Sequence, residues 1–183
     1  MPRTETAALE LSAAAWAVLG VVAEGPTHGF AVAALLAPDG ALGKAWTLPR
    51  PMVYREIEKL IELDLVAPQT TERSDRGPNR TIVAVTAAGR RAVARWRDEP
   101  VDHVRDIRSM LMLKLALAQR AGIDTRPLLL AQQQRLAPQL DGLEQLRDGA
   151  EGFERLLAQW RLASSRATLE FLAAALSDQS GEA

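Results

Sequence analysis

The sequence predicts a mainly α-helical protein with one small β-hairpin, in two parts divided near residue 97. Three observations predict it. Of the 183 residues, 48% are hydrophobic and only 4% aromatic, with Ala and Leu dominant, a composition that suits helices better than a β-sandwich. Helical periodicity runs through most of the chain and gives way to β-like runs only between Leu65 and Thr86. Charge divides the same way: residues 1–97 hold 12 Lys/Arg against 10 Asp/Glu, and residues 98–183 hold 10 against 13.

Leu11 to Glu24 reads as a first helix, with Ser12 at its N-cap, Trp16, Leu19 and Ala23 on one face, and Gly25-Pro26 ending it. Thr27 caps a second helix from His28 to Leu36, with Phe30, Ala33 and Ala34 at helical spacing. Pro, Asp and Gly make a loop of 37–43, and Lys44-Ala45-Trp46-Thr47 reads as a short strand. Pro51 suits the first turn of a third helix, where its missing N–H is not needed. In that helix Val53, Ile57, Leu60 and Ile61 form one stripe, leaving Arg55, Glu58, Lys59 and Glu62 outward. The runs 65–70 and 81–86 are strands, and the Arg-bearing, turn-rich link 72–80 makes them a hairpin. Thr86-Ala87-Ala88-Gly89 opens a fourth helix that reaches about Arg97, with Val93 and Trp96 on its inner side.

Several classes of function are disfavoured at once. Without cysteine there is neither a disulfide framework nor a thiolate metal site, and His28 and His103 alone cannot build a zinc site. No cofactor and no metal are expected. The first ten residues lack the basic and apolar regions of a signal peptide. The most apolar stretches, near Ala13–Ala23 and Met110–Ala118, fall short of the about 20 residues a bilayer span needs, so a soluble, cytoplasmic protein is expected. A phosphate-binding glycine loop and a nucleophile elbow are both missing, and Ser164-Ser165 with lone histidines makes no triad, which points away from an enzyme.

Three helices followed by a two-stranded ribbon with a basic tip is the order of a winged helix-turn-helix. The resemblance becomes specific in HGF at His28–Phe30, VYREIEKLIELDLV at Val53–Val66 and RTIVAVTAAGRRAVARW at Arg80–Trp96. These segments resemble the PadR family of bacterial transcriptional regulators, whose shared features are an HGY-type start to the second helix, a tyrosine early in the recognition helix, and a wing ending in Thr-x-x-Gly. The likeness covers about the first half of the chain. The sequence departs from the family pattern at Phe30, where Tyr is usual, at Asp64, where Gly is usual, at Val83, and at Pro51-Met52, where small residues are common. Asp tolerates left-handed backbone better than most residues, so the turn at Asp64 can survive.

From Asp98 onward the pattern is helical. Val104, Ile107, Leu111, Leu115 and Ala118 form a stripe, and the helix bearing them is apolar nearly all round at Met110–Leu113, as suits one buried between others. Asp124 or Thr125 caps a helix reaching about Arg147. Leu143, Leu146, Ala150, Phe153, Leu157 and Trp160 alternate spacings of three and four, a heptad-like seam interrupted at Gly149 and Gly152. A final helix runs from about Glu151 to Leu176. This half is similar to the C-terminal helical domain of the longer PadR-type proteins, which implies a homodimer, and its surplus of apolar surface independently calls for a partner. The expected domains are therefore 1–97, a DNA-binding winged helix-turn-helix, and 98–183, a helical dimerisation domain.

The residues expected at DNA follow from this placement. Tyr54, Arg55 and Lys59 stand on the recognition helix, where a phenol O–H, basic groups and the helix dipole can all meet phosphates or base edges. Within 44–97 there are 11 Lys/Arg against 6 Asp/Glu, the local basic balance a nucleic-acid contact needs. Arg73, Arg76 and Arg80 lie on or beside the wing tip. Thr47 and Arg50 are candidates for backbone contact, and the resemblance places Met52 toward the groove. His28 is expected to begin its helix with a hydrogen bond, and His103 to be an ordinary helix residue. Trp96 and Trp160 read as core anchors, while the resemblance offers them as the lining of a pocket for a small aromatic effector. The leading expectation is a homodimeric repressor on a palindromic double-stranded operator. The other is a winged-helix adaptor that binds protein without specific DNA.

Overall fold

The structure, a computed structural model, describes residues 11–72 and 80–179. By its internal contacts the chain forms two compact units, Met1–Trp96 and Arg97–Ala183.

The first unit is built on α1 (Ala13–Ala23), β1 (Thr27–His28), α2 (Gly29–Leu35), α3 (Arg50–Glu62), β2 (Val66–Glu72), β3 (Arg80–Val85) and most of α4 (Ala87–Asp98). It is a winged helix-turn-helix: helices α1 to α3 and an antiparallel sheet of order β1-β3-β2, followed by α4. Ser12 caps α1, its Oγ accepting from Ala15 N–H at 3.1 Å, and Val18, Leu19 and Val22 are fully buried, so α1 is the core helix. Val83 and Val85 of the central strand β3 are buried too. Edge strand β2 tolerates Pro68, where a missing N–H costs no ladder bond, and the register slips between Pro68 and Thr70, a bulge. Trp16 and Trp96 stack face to face, centroids 5.0 Å apart and planes 7° from parallel.

Two local expectations are corrected. Lys44–Thr47 is not a strand: Ala45 and Trp46 N–H both bond back to Leu42 O, and Thr47 Oγ1 donates to Gly43 O at 2.7 Å. Gly40 and Gly43 let this loop fold onto the end of α2, since a Cβ at either would meet backbone oxygens of Ala34 or Ala37 at 2.2 and 1.8 Å. The free edge of β3 is taken instead by Thr27–His28. His28 is consequently the cap of α2 and not its first residue; Ala31 N–H donates to His28 Nδ1 at 3.1 Å.

The Thr-x-x-Gly segment is a junction. Thr86 Oγ1 donates to Asp64 O at 2.7 Å and accepts from Gly89 N–H at 3.0 Å, while Thr86 N–H donates to Leu65 O. One residue thus caps α4 and ties it to the turn that leaves α3. Asp64 holds that turn with φ of 54°.

The second unit continues with α5 (Val104–Asp106), a π-helical turn Ile107–Leu111, α6 (Met112–Arg120), α7 (Arg126–Leu136), α8 (Gln139–Gly149) and α9 (Gly152–Asp178). The apolar stripe is where periodicity puts it, with Ile107, Leu111, Leu128, Leu129, Leu136, Leu172 and Leu176 in one core, though a π turn interrupts the helix expected over 104–118. The single helix expected from 124 to 147 is two, because Pro138 has no N–H to carry α7 onward. The break at Gly149–Gly152 is present, Gly152 at φ of 55°. The entry segment is held by side chains: Gln132 pairs with both backbone groups of Val101, at 2.8 and 2.9 Å, Lys114 Nζ donates to Glu99 O at 2.6 Å, and Arg135 grips Asp102.

Candidate nucleic-acid interface

Helix α3 buries Val53, Glu56, Ile57 and Leu60, half-buries Met52 and Ile61, and turns its other residues outward. Its first turn carries no acidic group and no side chain caps its N-terminus, so the positive end of the helix dipole is uncompensated there. Arg50, Tyr54 and Arg55 are exposed on these first turns and Met52 is half-buried among them. Lys59 is exposed one turn beyond Arg55, with Glu58 and Glu62 also outward, so the positive surface is concentrated in the front half of the helix.

The front of α3 is joined to the start of α2. Gly29 is buried beneath the Tyr54 ring, where an added Cβ would come within 2.6 Å of Tyr54 Cε1. The Arg50 guanidinium lies 4.9 Å from the Phe30 ring centroid and 5.8 Å from that of Tyr54, inside cation–π range of both. The HGF segment therefore serves three ends: a cap from His28, a vacancy from Gly29, a ring from Phe30. Phe30, placed by periodicity with Ala33 and Ala34, is instead 50% exposed.

Of the other sequence candidates, Thr47 is exposed near the front of α3 with its hydroxyl engaged by Gly43 O. Arg80 is exposed at the first position of β3. Arg73 and Arg76 lie outside the described residues. Arg55 reaches its neighbour Glu56 at 3.5 Å, but its side chain stays 67% exposed, and such surface pairs hold little. Glu56 itself escaped sequence reasoning. It is 5% exposed, and its Oε2 has no hydrogen-bond partner among the described residues. Its position, three after Val53 and four before Leu60, marks it as part of the buried stripe.

Trp96 is buried against Trp16 in the first unit. Trp160 lies in the second and is exposed on α9 at a cavity of about 480 Å³, lined also by Leu143, Leu157, Arg105, Arg161 and Ser164. His103 borders the same cavity. Among the described residues no cluster of His, Asp and Glu is placed to hold a metal ion, and no helix is long and apolar enough to cross a membrane.

No family model matches the chain, and no curated protein matches it. Among solved structures it is similar to Bacillus subtilis PadR in complex with operator DNA, at 18% identity over 88% of this chain and 97% of that one, with a TM-score of 0.46. The same protein in complex with p-coumaric acid matches at 18% identity, 90% and 94% coverage and a TM-score of 0.40. The smu.1604c protein of Streptococcus mutans UA159 matches at 16% identity, 89% and 98% coverage and 0.42.

Proposed function

We propose that this protein is a sequence-specific double-stranded-DNA-binding transcriptional regulator that works as a homodimeric repressor. One observation carries the reading: the front of α3, on a winged helix-turn-helix, presents Arg50, Tyr54 and Arg55 outward with no acidic residue in the first turn and no cap on the helix. A helix of this kind enters a major groove with its N-terminal residues at base edges and phosphates. Thr47, Lys59 and Arg80 flank it, and Arg73 and Arg76 are assigned to the wing by sequence.

The helical part, 98–183, is proposed as the dimerisation domain. Phe153, Leu156 and Trp160 on the first half of α9 are 75%, 65% and 62% exposed, more large apolar surface than a helix leaves to water. A two-fold dimer sets two recognition helices at half-sites about 10 bp apart, or a multiple, in a palindromic operator. The cavity beside Trp160, lined by Leu143 and Leu157 together with Arg105, Arg161, Ser164 and Ser165, is the proposed place for a small effector. Such a molecule releases DNA only by favouring one state of the protein over the other.

The test is fluorescence anisotropy of the purified protein with labelled duplex from directly upstream of its own gene, against a scrambled duplex, across a salt series. Preference for the upstream duplex, a steep fall with salt as phosphate neutralisation demands, and loss in Tyr54→Ala/Lys59→Ala are expected. Equal binding to both duplexes removes sequence specificity. No binding by a folded dimer favours the protein-interaction adaptor.

A further inference from the structure

Phe30 is set apart from the packing residues of its own helix. Val32 and Ala33 are buried, whereas the Phe30 ring is half exposed and faces the Arg50 guanidinium. Arg50 makes no ion pair among the described residues. Beside it lies a hollow of about 340 Å³ whose walls are almost wholly apolar, Ala33, Ala34, Pro38 and Leu48 among them. That wall offers no anion to hold the guanidinium, so the two aromatic rings, one from α2 and one from α3, are what locates it.

An arginine at the tip of a helix samples many rotamers, and fixing it on binding costs affinity. A ring that already holds the group lowers that cost. We propose that Phe30 is a positioning residue for Arg50: it presets the guanidinium from the neighbouring helix and thereby raises affinity for DNA without reading a base itself. This rests on the DNA-binding reading above and adds to it a residue that α3 alone does not contain.

Two measurements test it. In the free protein, NMR resonances of the Arg50 side chain are displaced by ring currents. They return toward random-coil positions in Phe30→Leu and stay displaced in Phe30→Tyr. On the upstream duplex, Phe30→Leu weakens binding about three- to five-fold, the scale of an exposed cation–π contact, and Phe30→Tyr does not. In the Arg50→Gln background the same Leu substitution has no further effect, whereas with Lys59→Ala its effect is additive. An equal loss with and without Arg50, or Arg50 resonances indifferent to Phe30→Leu, overturns the assignment. Wild-type protein that binds no duplex overturns the DNA reading and this role with it; DNA binding with a fully additive cycle overturns the role alone.

Discussion

Gly29 and Tyr54 fit together as an empty place and the ring that fills it: the Tyr54 Cε1, Cζ and Cδ1 atoms lie 2.6, 3.0 and 3.1 Å from where a Gly29 β-carbon would be. The glycine sits in the first turn of α2, and the tyrosine one turn into α3, so this contact fixes the ring at the junction of the two helices.

Gly29→Ala is expected to displace that ring at little cost to the fold, because alanine favours the helix and the atoms it meets end a side chain. Affinity for DNA should fall roughly ten-fold, the scale of one lost hydrogen bond to a charged phosphate, while Tm moves by only a few degrees. Anisotropy and thermal unfolding of the same sample check both halves. A ten-degree loss of Tm would instead make Gly29 a packing residue.

Gly89 meets a harder wall. Its missing β-carbon would lie 2.1 Å from Leu65 O, a backbone atom in the turn that Thr86 also binds. Gly89→Ala is therefore expected to cost about 3 kcal/mol or more. Thr86→Val, which removes the cap and the bond to Asp64 O, should cost about 1–2 kcal/mol. Urea unfolding of the two variants should rank them in that order.

Asp64 adopts a backbone conformation that glycine adopts freely and that β-branched residues resist. Asp64→Gly should leave stability unchanged or raise it by up to about 1 kcal/mol, and Asp64→Val should lower it by about 1–2 kcal/mol. Denaturant midpoints decide the sign.

Gly29, Thr86 and Gly89 differ in how far the sequence reveals them. Stripe residues such as Leu60 and Leu111 follow from spacing alone, because burial of one helix face is a periodic demand. The wing follows from a change of period and from Thr86 and Gly89. Gly29 and Phe30 were not legible. Their roles depend on which residue of another element lies opposite, and no spacing within one helix encodes that. The expected strand at Lys44–Thr47 failed similarly: a strand needs a partner edge, and Thr27–His28 already occupied it. For α7 and α8 the signal is Pro138, whose missing N–H ends α7 where helix-favouring composition on both sides suggests one helix.

Lys114 gives the second unit a pH dependence. Its side chain is 3% exposed, and burial pulls the amine down to about 8 from 10.5, against the opposing pull of Glu99, Asp102 and Asp98. The folded state thus gives up its proton before the unfolded chain does. Between about pH 8 and 10.5 the unfolded state holds more protons, so stability rises with pH across that window. Solvent screening of the amine keeps the full effect below about 3 kcal/mol. Urea unfolding at pH 7.5 and pH 10, wild type against Lys114→Met, isolates it: the rise should be present in wild type and missing in the variant. An identical rise in both would assign it to other groups.

The exposed face of α9 makes the last expectation. Phe153, Leu156 and Trp160 follow at spacings of three and four on a helix whose opposite side, through Ala158, Leu162 and Ser165, is buried in its own unit. Two copies meeting through this face would remove three large side chains from water in each, at about 1.5–3 kcal/mol per side chain. Charge placed there is costly in a dimer and harmless in a monomer. Leu156→Glu/Trp160→Glu should therefore shift the mass measured by sedimentation from dimer to monomer while circular dichroism stays helical. DNA affinity should fall further than for any single α3 variant, because a dimer joins two half-site contacts into one event and a monomer does not. A variant that remains dimeric would place the two-fold elsewhere on the chain. One that becomes monomeric but still binds the upstream duplex with wild-type affinity would separate DNA recognition from dimerisation altogether.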